Sequence, residues 1–159
     1  MAELAAETAR TFQYTLKELV TFRMVRLNAK LTTQAARLLK NHSGLTPAQW
    51  RVMFMIHDNG PMTPARVGRL IGMDKGQLSR TIKSMVDTGI LASTASEADQ
   101  RSFELHLTAS GQKLFHRAMP VMQKRQARLM GCLTDEERAV LYRAFDKLEA
   151  VTEEPGDFA

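Results

Sequence analysis

The sequence has very little cysteine: Cys132 is the single one among 159 residues. One cysteine excludes an internal disulfide and any zinc site built from several thiolates. No apolar run is long enough to cross a bilayer, and the first residues carry acids instead of an apolar signal core. We therefore expect a cytoplasmic protein with no membrane partner.

Patterns of catalysis and metal binding are missing as well. Four histidines lack metal-ligand spacing: His42, His57, His106 and His116. The sequence has no Gly-rich phosphate loop, no nucleophile elbow and no paired carboxylates in an apolar context. It predicts a protein that is not an enzyme and holds neither metal nor cofactor.

The net charge is +5, and the charged residues are unevenly distributed along the chain. Residues 1–134 hold 19 Lys and Arg against 9 Asp and Glu, a balance of +10, whereas residues 135–159 hold 3 against 8, a balance of −5. A basic body favours a nucleic-acid partner, although a solvated helix face is the commoner explanation of any single basic run.

Residues 10–40 have the apolar spacing of one long helix, or of two closely joined ones. Gly44 is placed to cap its C-terminus. The apolar face is longer than a small neighbouring domain can cover, so we expect a second subunit to cover the rest.

The next helix, over residues 45–59, has an N-terminal capping box. Thr46 is its N-cap, Pro47 its first residue and Gln49 the third position. Its buried side is predicted to consist of Trp50, Met53, Phe54 and Ile56.

A helix-turn-helix follows. Thr63 and Pro64 start a helix to Ile71, predicted to bury Val67, Leu70 and Ile71. A Gly72-Met73 turn leads to a helix that Asp74 caps and that Gly89 ends. The inward stripe of this last helix is predicted to be Leu78, Ile82, Met85 and Val86.

The outward side of that helix carries cations and polar groups, with no acid between Lys75 and Val86. In a helix-turn-helix the second helix enters the major groove, where Arg80 can read guanine and Gln77 adenine. The remaining predicted DNA contacts, mostly to phosphates, are Thr63, Lys75, Ser79, Thr81, Lys83 and Ser84. The alternative is an amphipathic helix with a solvated basic face.

A predicted β-hairpin then favours DNA binding over that alternative. Residues 90–94 and 102–107 resemble strands around a polar turn, and a helix-turn-helix with such a hairpin is a winged helix. At the tip, Arg101 can enter the minor groove while Asp99 orients it. The alternatives are an ordinary turn residue and a flexible surface charge.

Two further helices complete the predicted fold, which is mainly α with a small β-hairpin. Thr108 caps a helix to about Leu133 that Pro120 should kink or break; its predicted buried stripe is Leu114, Ala118, Met122, Leu129 and Met130. Thr134 opens a capping box for a helix to about Thr152. That helix is predicted to bury Ala139, Val140, Leu141, Phe145 and Leu148.

The hairpin and its surroundings resemble the MarR (multiple antibiotic resistance regulator) family. The motifs that carry the resemblance are Gly89-Ile90-Leu91, Asp99-Gln100-Arg101, Leu107-Thr108-Ala109-Ser110-Gly111 and the opening Leu45-Thr46-Pro47. The resemblance implies a homodimer in which residues 1–45 and 109–159 form a helical dimerisation region. Residues 46–108 would form the winged helix-turn-helix that binds double-stranded DNA.

The resemblance also implies a small-molecule effector, often aromatic or acidic, in a cleft between the dimerisation helices and the DNA-binding lobe. Five residues are placed near such a cleft by their position: Arg26, Trp50, Met53, His57 and Met73. Trp50 and the methionines are more often simply core residues.

Cys132 raises a separate question, because some relatives in the resembled family sense oxidants through a cysteine near the start of the first helix. Cys132 lies near the end of the fifth predicted helix. We therefore predict a buried, inert thiol, with an oxidant sensor as the alternative.

These observations together predict a ligand-responsive transcriptional repressor that binds a pseudo-palindromic duplex site as a homodimer. One alternative is a winged-helix protein-interaction module that never contacts DNA. The other is an oxidant-sensing regulator that acts through Cys132.

Overall fold

A computed structural model describes residues 15–95 and 103–153. These residues form six helices and one two-stranded sheet. In chain order the elements are α1 (Val20–Ser43), α2 (Pro47–Asn59), α3 (Pro64–Ile71), α4 (Lys75–Asp87), β1 (Leu91–Ala95), β2 (Phe103–Leu107), α5 (Ala109–Met130) and α6 (Asp135–Glu153).

Five of these helices start at a side-chain cap that the sequence predicts. Each capping oxygen accepts a hydrogen bond from the backbone N–H three residues later, at 3.0–3.3 Å. The caps are Thr46, Thr63, Asp74, Thr108 and Thr134. Because these bonds are local, short sequence motifs suffice to place the helix starts.

The helix ends follow the same local logic. Gly44 ends α1 with a φ of 74°, and Gly89 follows α4 with a φ of 67°. Both angles lie in the left-handed region, which glycine adopts without steric cost. The two predicted glycine positions are thus confirmed.

The hairpin packs beside the helix-turn-helix, as predicted. β1 and β2 are antiparallel, with Leu91 opposite Leu107. The backbone of Met62, just before α3, exchanges hydrogen bonds with Leu105 on the other edge of β2, at 2.9 and 3.3 Å. The segment before the helix-turn-helix is therefore tied directly to the wing.

The hydrophobic core lies between α2, α4, the hairpin and the first half of α5. Its largest fully buried side chain is Phe115, which stacks on Trp50 with ring centroids 5.0 Å apart. The sequence prediction for α5 missed Phe115. Of its predicted stripe only Ala118 is fully buried; Leu114, Met122, Leu129 and Met130 are half-buried.

In α2, α3 and α4, three apolar side chains predicted to be buried are exposed instead. They are Phe54, Leu70 and Val86, each next in sequence to a buried or half-buried apolar residue. Neighbouring helical residues point about 100° apart, so the core covers one member of each pair and leaves the other at its edge.

The predicted buried side of the last helix is wrong for a single chain, because α6 has no buried residue. Val140, Phe145 and Leu148 are exposed, as is Ala139, and Leu141 is half-buried. The reason is that nothing else in the described part of the chain packs closely over α6.

The break that Pro120 was expected to cause in α5 is not found, since the helix continues through it; the other expected effect, a kink, stays a prediction. Among the described residues, no helix is both long and apolar enough to span a membrane.

Candidate nucleic-acid interface

α4 contacts the rest of the lobe along one side only. It packs against α2, α3 and β1, and its buried side chains are Leu78, Ile82 and Met85. A Cβ at Gly68 of α3 would lie 2.8 Å from Cδ2 of Leu78, so α3 and α4 approach closely and a larger residue at position 68 would have to displace the Leu78 side chain. The opposite side of α4 is thereby turned outward.

The outward side carries most of the residues predicted to bind DNA. The exposed ones are Lys75, Gln77, Ser79, Arg80, Lys83 and Ser84. Thr81 differs, because it is half-buried and its hydroxyl donates to the carbonyl of Gln77 at 2.8 Å. In this conformation Thr81 has no hydrogen left to donate to a phosphate.

Gly76 is a residue of this surface that the sequence analysis missed. A Cβ built on it would lie 3.5 Å from a terminal nitrogen of Arg80 and 3.2 Å from a carboxylate oxygen of Asp74. The Arg80 side chain therefore lies back over the first turn of α4, across the bare backbone of Gly76. Its position four residues before Arg80, on the same helix side, was the available signal.

Four of the predicted contacts surround one open cavity of about 910 Å³. Thr63, Lys75, Ser79 and Lys83 line it, between α3, α4 and the hairpin. Phe103, at the start of β2, is exposed and forms part of the apolar wall. The cations thus stand at the rim of an apolar groove beside α4.

The predicted wing-tip pair, Asp99 and Arg101, lies outside the described residues. The stem is described as far as Ala95, which pairs with Phe103.

A network of short contacts joins the exit of α4 to the start of α5. The hydroxyls of Thr108 and Ser110 both donate to the carbonyl of Gly89, at 2.6 and 2.7 Å. A Cβ at Gly111 would collide with the carbonyl oxygen of Ile90. The Thr-x-x-Gly motif, Thr108 to Gly111, therefore makes the contacts that join α4 to α5.

Two pKa shifts in the described residues lie away from α4. Burial lowers the pKa of the Arg125 guanidinium, which donates to Gln34 Oε1 and to the carbonyl of Leu31, both at 3.0 Å. The backbone N–H and hydroxyl of Thr15 donate to the Glu18 carboxylate and hold its pKa below the usual value.

The five predicted effector residues are not gathered in one place. Trp50 and Met53 are buried in the core. His57 is exposed, with its ring centroid 4.2 Å from that of Phe115.

The other two predicted effector residues line separate cavities. Met73 lines the groove beside α4. Arg26 lines an open cavity of about 920 Å³ between α1 and α6, with its guanidinium carbon 5.7 Å from the centroid of the Phe22 ring.

The prediction that Cys132 is buried is wrong, because its side chain is exposed. The thiol donates to the carbonyl of Leu129 at 3.0 Å. Cys132 follows the end of α5, beyond the half of that helix that packs on the core, so a single chain leaves the thiol uncovered.

Comparison with known proteins finds a family match for the helix-turn-helix region. Residues 43–102 match the model of the MarR family. A putative transcriptional regulatory protein for the hcr operon of Thauera aromatica is 21% identical over 115 residues, which cover 72% of this chain and 69% of that protein.

Solved structures of similar fold extend the likeness beyond the winged lobe. A MarR/EmrR family transcriptional regulator from Acinetobacter sp. ADP1 aligns with a TM-score of 0.82 at 20% identity, over 88% of this chain and 99% of that one. A mutant MarR from E. coli, complexed with operator DNA, aligns with a TM-score of 0.67 at 23% identity, over 86% and 99%.

A third structure is the PcaV transcriptional regulator from Streptomyces coelicolor in complex with its natural ligand. It aligns with a TM-score of 0.73 at 20% identity, over 88% of this chain and 98% of that one. The family match covers the helix-turn-helix, and the structural likeness covers most of the flanking helices. The winged helix-turn-helix region, residues 43–102, therefore matches the MarR family, and the chain around it has the fold of solved MarR-type regulators.

Proposed function

We propose that this protein is a homodimeric, ligand-responsive repressor that binds a pseudo-palindromic site in duplex DNA. The observation that carries the proposal is the outward side of α4. Its buried side fixes the helix on the lobe, and the exposed side presents Arg80 and Lys83 without an acid before Asp87. A structural relative from E. coli complexed with operator DNA supports this use of the fold.

In the proposed complex the N-terminal half of α4 enters the major groove. Arg80 donates two hydrogen bonds to guanine, and Gln77 pairs with adenine. The surrounding hydroxyls and cations contact phosphates and set the position of the helix: Thr63, Lys75, Ser79, Thr81, Lys83 and Ser84. Thr81 can take this role only after its hydroxyl leaves the helix backbone. In the wing, Arg101, oriented by Asp99, enters the minor groove.

Substitution of Arg80 tests the proposed base contact. The DNA is a duplex that the wild-type protein selects from a random-sequence pool. Arg80→Ala should weaken binding by about 1–3 kcal/mol and relax the preference at one base position. The matched control is Arg143→Ala, which removes an equally exposed arginine from α6. Equal affinity and equal base preference in the two variants would contradict the assignment.

The proposed dimer rests on apolar surface that one chain leaves uncovered. Leu27 of α1 and Phe145 and Leu148 of α6 line the 920 Å³ cavity between these helices, and all three are exposed. A second copy would bury this surface, and burial stabilises by about 25 cal/mol per Å² of apolar area. The two copies of α4 should then reach major grooves about 34–36 Å apart.

Sedimentation of variants tests the dimer. Phe145→Glu should shift the protein to monomers, because it places a charge in the proposed apolar contact. Leu70→Glu is the control, since Leu70 is an exposed apolar residue on α3, outside that cavity. A Phe145→Glu protein that remains dimeric would remove this surface from the interface.

The proposed effector acts by binding one spacing of the two α4 helices more tightly than another. Arg26 is the one predicted effector residue that brings a charge to a cavity, and this is the cavity that the second copy would cover. We therefore assign the effector an acidic group, bound near Arg26 between the two copies. The ligand-bound PcaV structure supports a ligand site in this fold. The other predicted effector residues would then not line one pocket around the effector. They would affect its binding indirectly, through the packing of the core and its surface: Trp50, Met53, His57 and Met73.

A thermal-shift screen of aromatic carboxylates tests the effector. A compound at 100 times its Kd stabilises the protein by about 2.7 kcal/mol, and it should also release DNA. Arg26→Gln should abolish both effects, whereas Lys147→Gln should abolish neither. Equal responses in the two variants would place the effector away from Arg26.

The exposure of Cys132 supports oxidation as a second candidate trigger. If Cys132 is the sensor, peroxide abolishes DNA binding of the wild type and leaves Cys132→Ser unaffected. Loss of binding in both proteins, or in neither, would exclude that trigger.

A further inference from the structure

The two helices α1 and α5 contain ten Lys and Arg and no acid. Five cations lie on each helix, and the sequence has no Asp or Glu between Glu18 and Asp58 or between Glu104 and Asp135. Four of these cations stand apart: Arg125 is half-buried, and Arg23, Arg26 and Lys30 line the cavity towards α6. The other six form the α1–α5 basic face: Arg37, Lys40, Lys113, Arg117, Lys124 and Arg128, all exposed.

This basic face points away from the core. Lys113 and Arg117 are each two residues from the fully buried Phe115, and Arg37 is two residues from the buried Leu39. Two residues along a helix turn a side chain by about 200°. The basic face therefore lies on the other side of α1 and α5 from the winged lobe, where α4 packs on α2, α3 and β1.

The two helices that carry these cations pack side by side. α1 and α5 pack against each other in antiparallel directions, because Arg117 reaches the carbonyl of Ser43 at 3.5 Å while Arg125 reaches that of Leu31 at 3.0 Å. On α5 the cations recur at intervals of four, seven and four residues, which keeps them on one side. At 1.5 Å per residue, the run from Lys113 to Arg128 is about 22 Å long.

Nothing in the described ranges, 15–95 and 103–153, neutralises this face. The ion pair found there joins Arg138 to Asp135, both outside α1 and α5. About 22 Å of duplex DNA carries roughly 13 phosphate charges, one per 1.7 Å of axis. An extended, acid-free row of lysine and arginine matches such a rod of charge.

A protein partner fits this surface less well. Lysine is depleted in the cores of protein interfaces, and the apolar surface proposed for the second copy is a separate stripe of α1 that includes Leu27 and Leu31. We infer that the α1–α5 basic face holds a second stretch of duplex DNA, without sequence preference, while α4 reads the first. This inference rests on the proposed DNA-binding function, and it adds a bridging contact to it.

A capture experiment with matched triple variants tests the inference. The protein is bound to an immobilised duplex of its selected sequence, and capture of a labelled random duplex is measured at several KCl concentrations. The face variant is Arg37→Gln, Lys40→Gln and Lys124→Gln. The control removes three exposed cations elsewhere: Arg51→Gln, Arg143→Gln and Lys147→Gln.

We expect the wild type and the control to capture the second duplex with the same salt dependence. The face variant should capture it on the order of tenfold more weakly, and its slope of log affinity against log salt should be smaller by about 2–3, near 0.9 per lost phosphate contact. Equal capture and equal slope in the face variant and the control would overturn the inference.

Two further outcomes separate the possible explanations. If the face variant loses self-association at low salt and keeps capture, the occupant is the acid-rich α6 of a second copy, and the DNA inference is overturned. If no duplex is selected and random duplex still binds in a way that needs the basic face, the proposed sequence-specific function and the bridging contact fail, whereas the assignment of the basic face to duplex DNA stands.

Discussion

Gly111→Ala is the substitution that tests most directly how α4 is joined to α5. Gly111 lies in the first turn of α5, and the carbonyl oxygen of Ile90 occupies the place where a Cβ would stand. The colliding atom is backbone, so it cannot rotate aside. The start of α5 must move away from the exit of α4, which also strains the bonds from Thr108 and Ser110 to Gly89.

Two opposing free energies set the size of the effect. Alanine is favoured over glycine inside a helix by about 0.5–1 kcal/mol. Overpacking costs about 1–3 kcal/mol, and each strained hydrogen bond is worth about 0.5–1.5 kcal/mol. We expect a net loss of about 2 kcal/mol in the free energy of unfolding, which lowers the Tm by about 4–8 °C for a chain of this size.

Thermal unfolding at fixed protein concentration measures this loss, since oligomerisation makes the Tm depend on concentration. Gln112→Ala is the control, because Gln112 is exposed at the next position of the same helix. The Tm of this variant should equal that of the wild type. A Gly111→Ala protein that melts at or above the wild-type temperature would show that α5 does not approach Ile90 this closely.

Four other substitutions have distinct expected outcomes. Phe115→Ala should destabilise the fold by about 3–5 kcal/mol in chemical denaturation, whereas Phe103→Ala, at an exposed aromatic, should cost much less. Gly76→Ala should leave the Tm near the wild-type value and weaken selected-duplex binding in anisotropy titrations, because the new methyl would stand only 3.2 Å from the capping carboxylate of Asp74, at the end of α4 proposed to enter the groove; unchanged affinity would refute this. Arg101→Ala should reduce protection at A·T-rich flanks in footprinting, and an unaltered footprint would remove the wing from the complex.

The sequence was sufficient wherever a structural feature is determined by a few neighbouring residues. Thr46, Pro47 and Gln49 make a capping box because all its bonds join residues three apart. Gly44 and Gly89 end helices for the equally local reason that their backbone angles suit glycine. The order of helices and strands therefore follows from short motifs and apolar periodicity.

Features that depend on distant neighbours were not accessible in this way. Helical spacing allowed several inward stripes for α5, and only the stacking of Trp50 across the core selects the one with Phe115. The apolar residues of α6 look like core in the sequence, yet one chain offers them nothing to pack against. Cys132 was misjudged for the same reason.

The candidate DNA surface contains features that follow from local sequence and features that depend on distant or conformational detail. Arg80 and its neighbours were assigned to the outward side of α4 from periodicity alone, and the structure exposes most of them. Gly76 and the Thr81 hydroxyl depend on side-chain conformation, which periodicity does not describe. Direct contact with DNA remains a prediction for all of them.

The proline within α5 gives this helix a preferred place to bend. Pro120 has no N–H, so the carbonyl of His116 loses its donor four residues later. The helix is therefore least stiff between the segment that holds Phe115 in the core and the segment where Arg125 reaches α1. Because α1 is bonded to α5 on both sides of Pro120, through Arg117 and through Arg125, any bend of α5 at this point has to carry α1 with it.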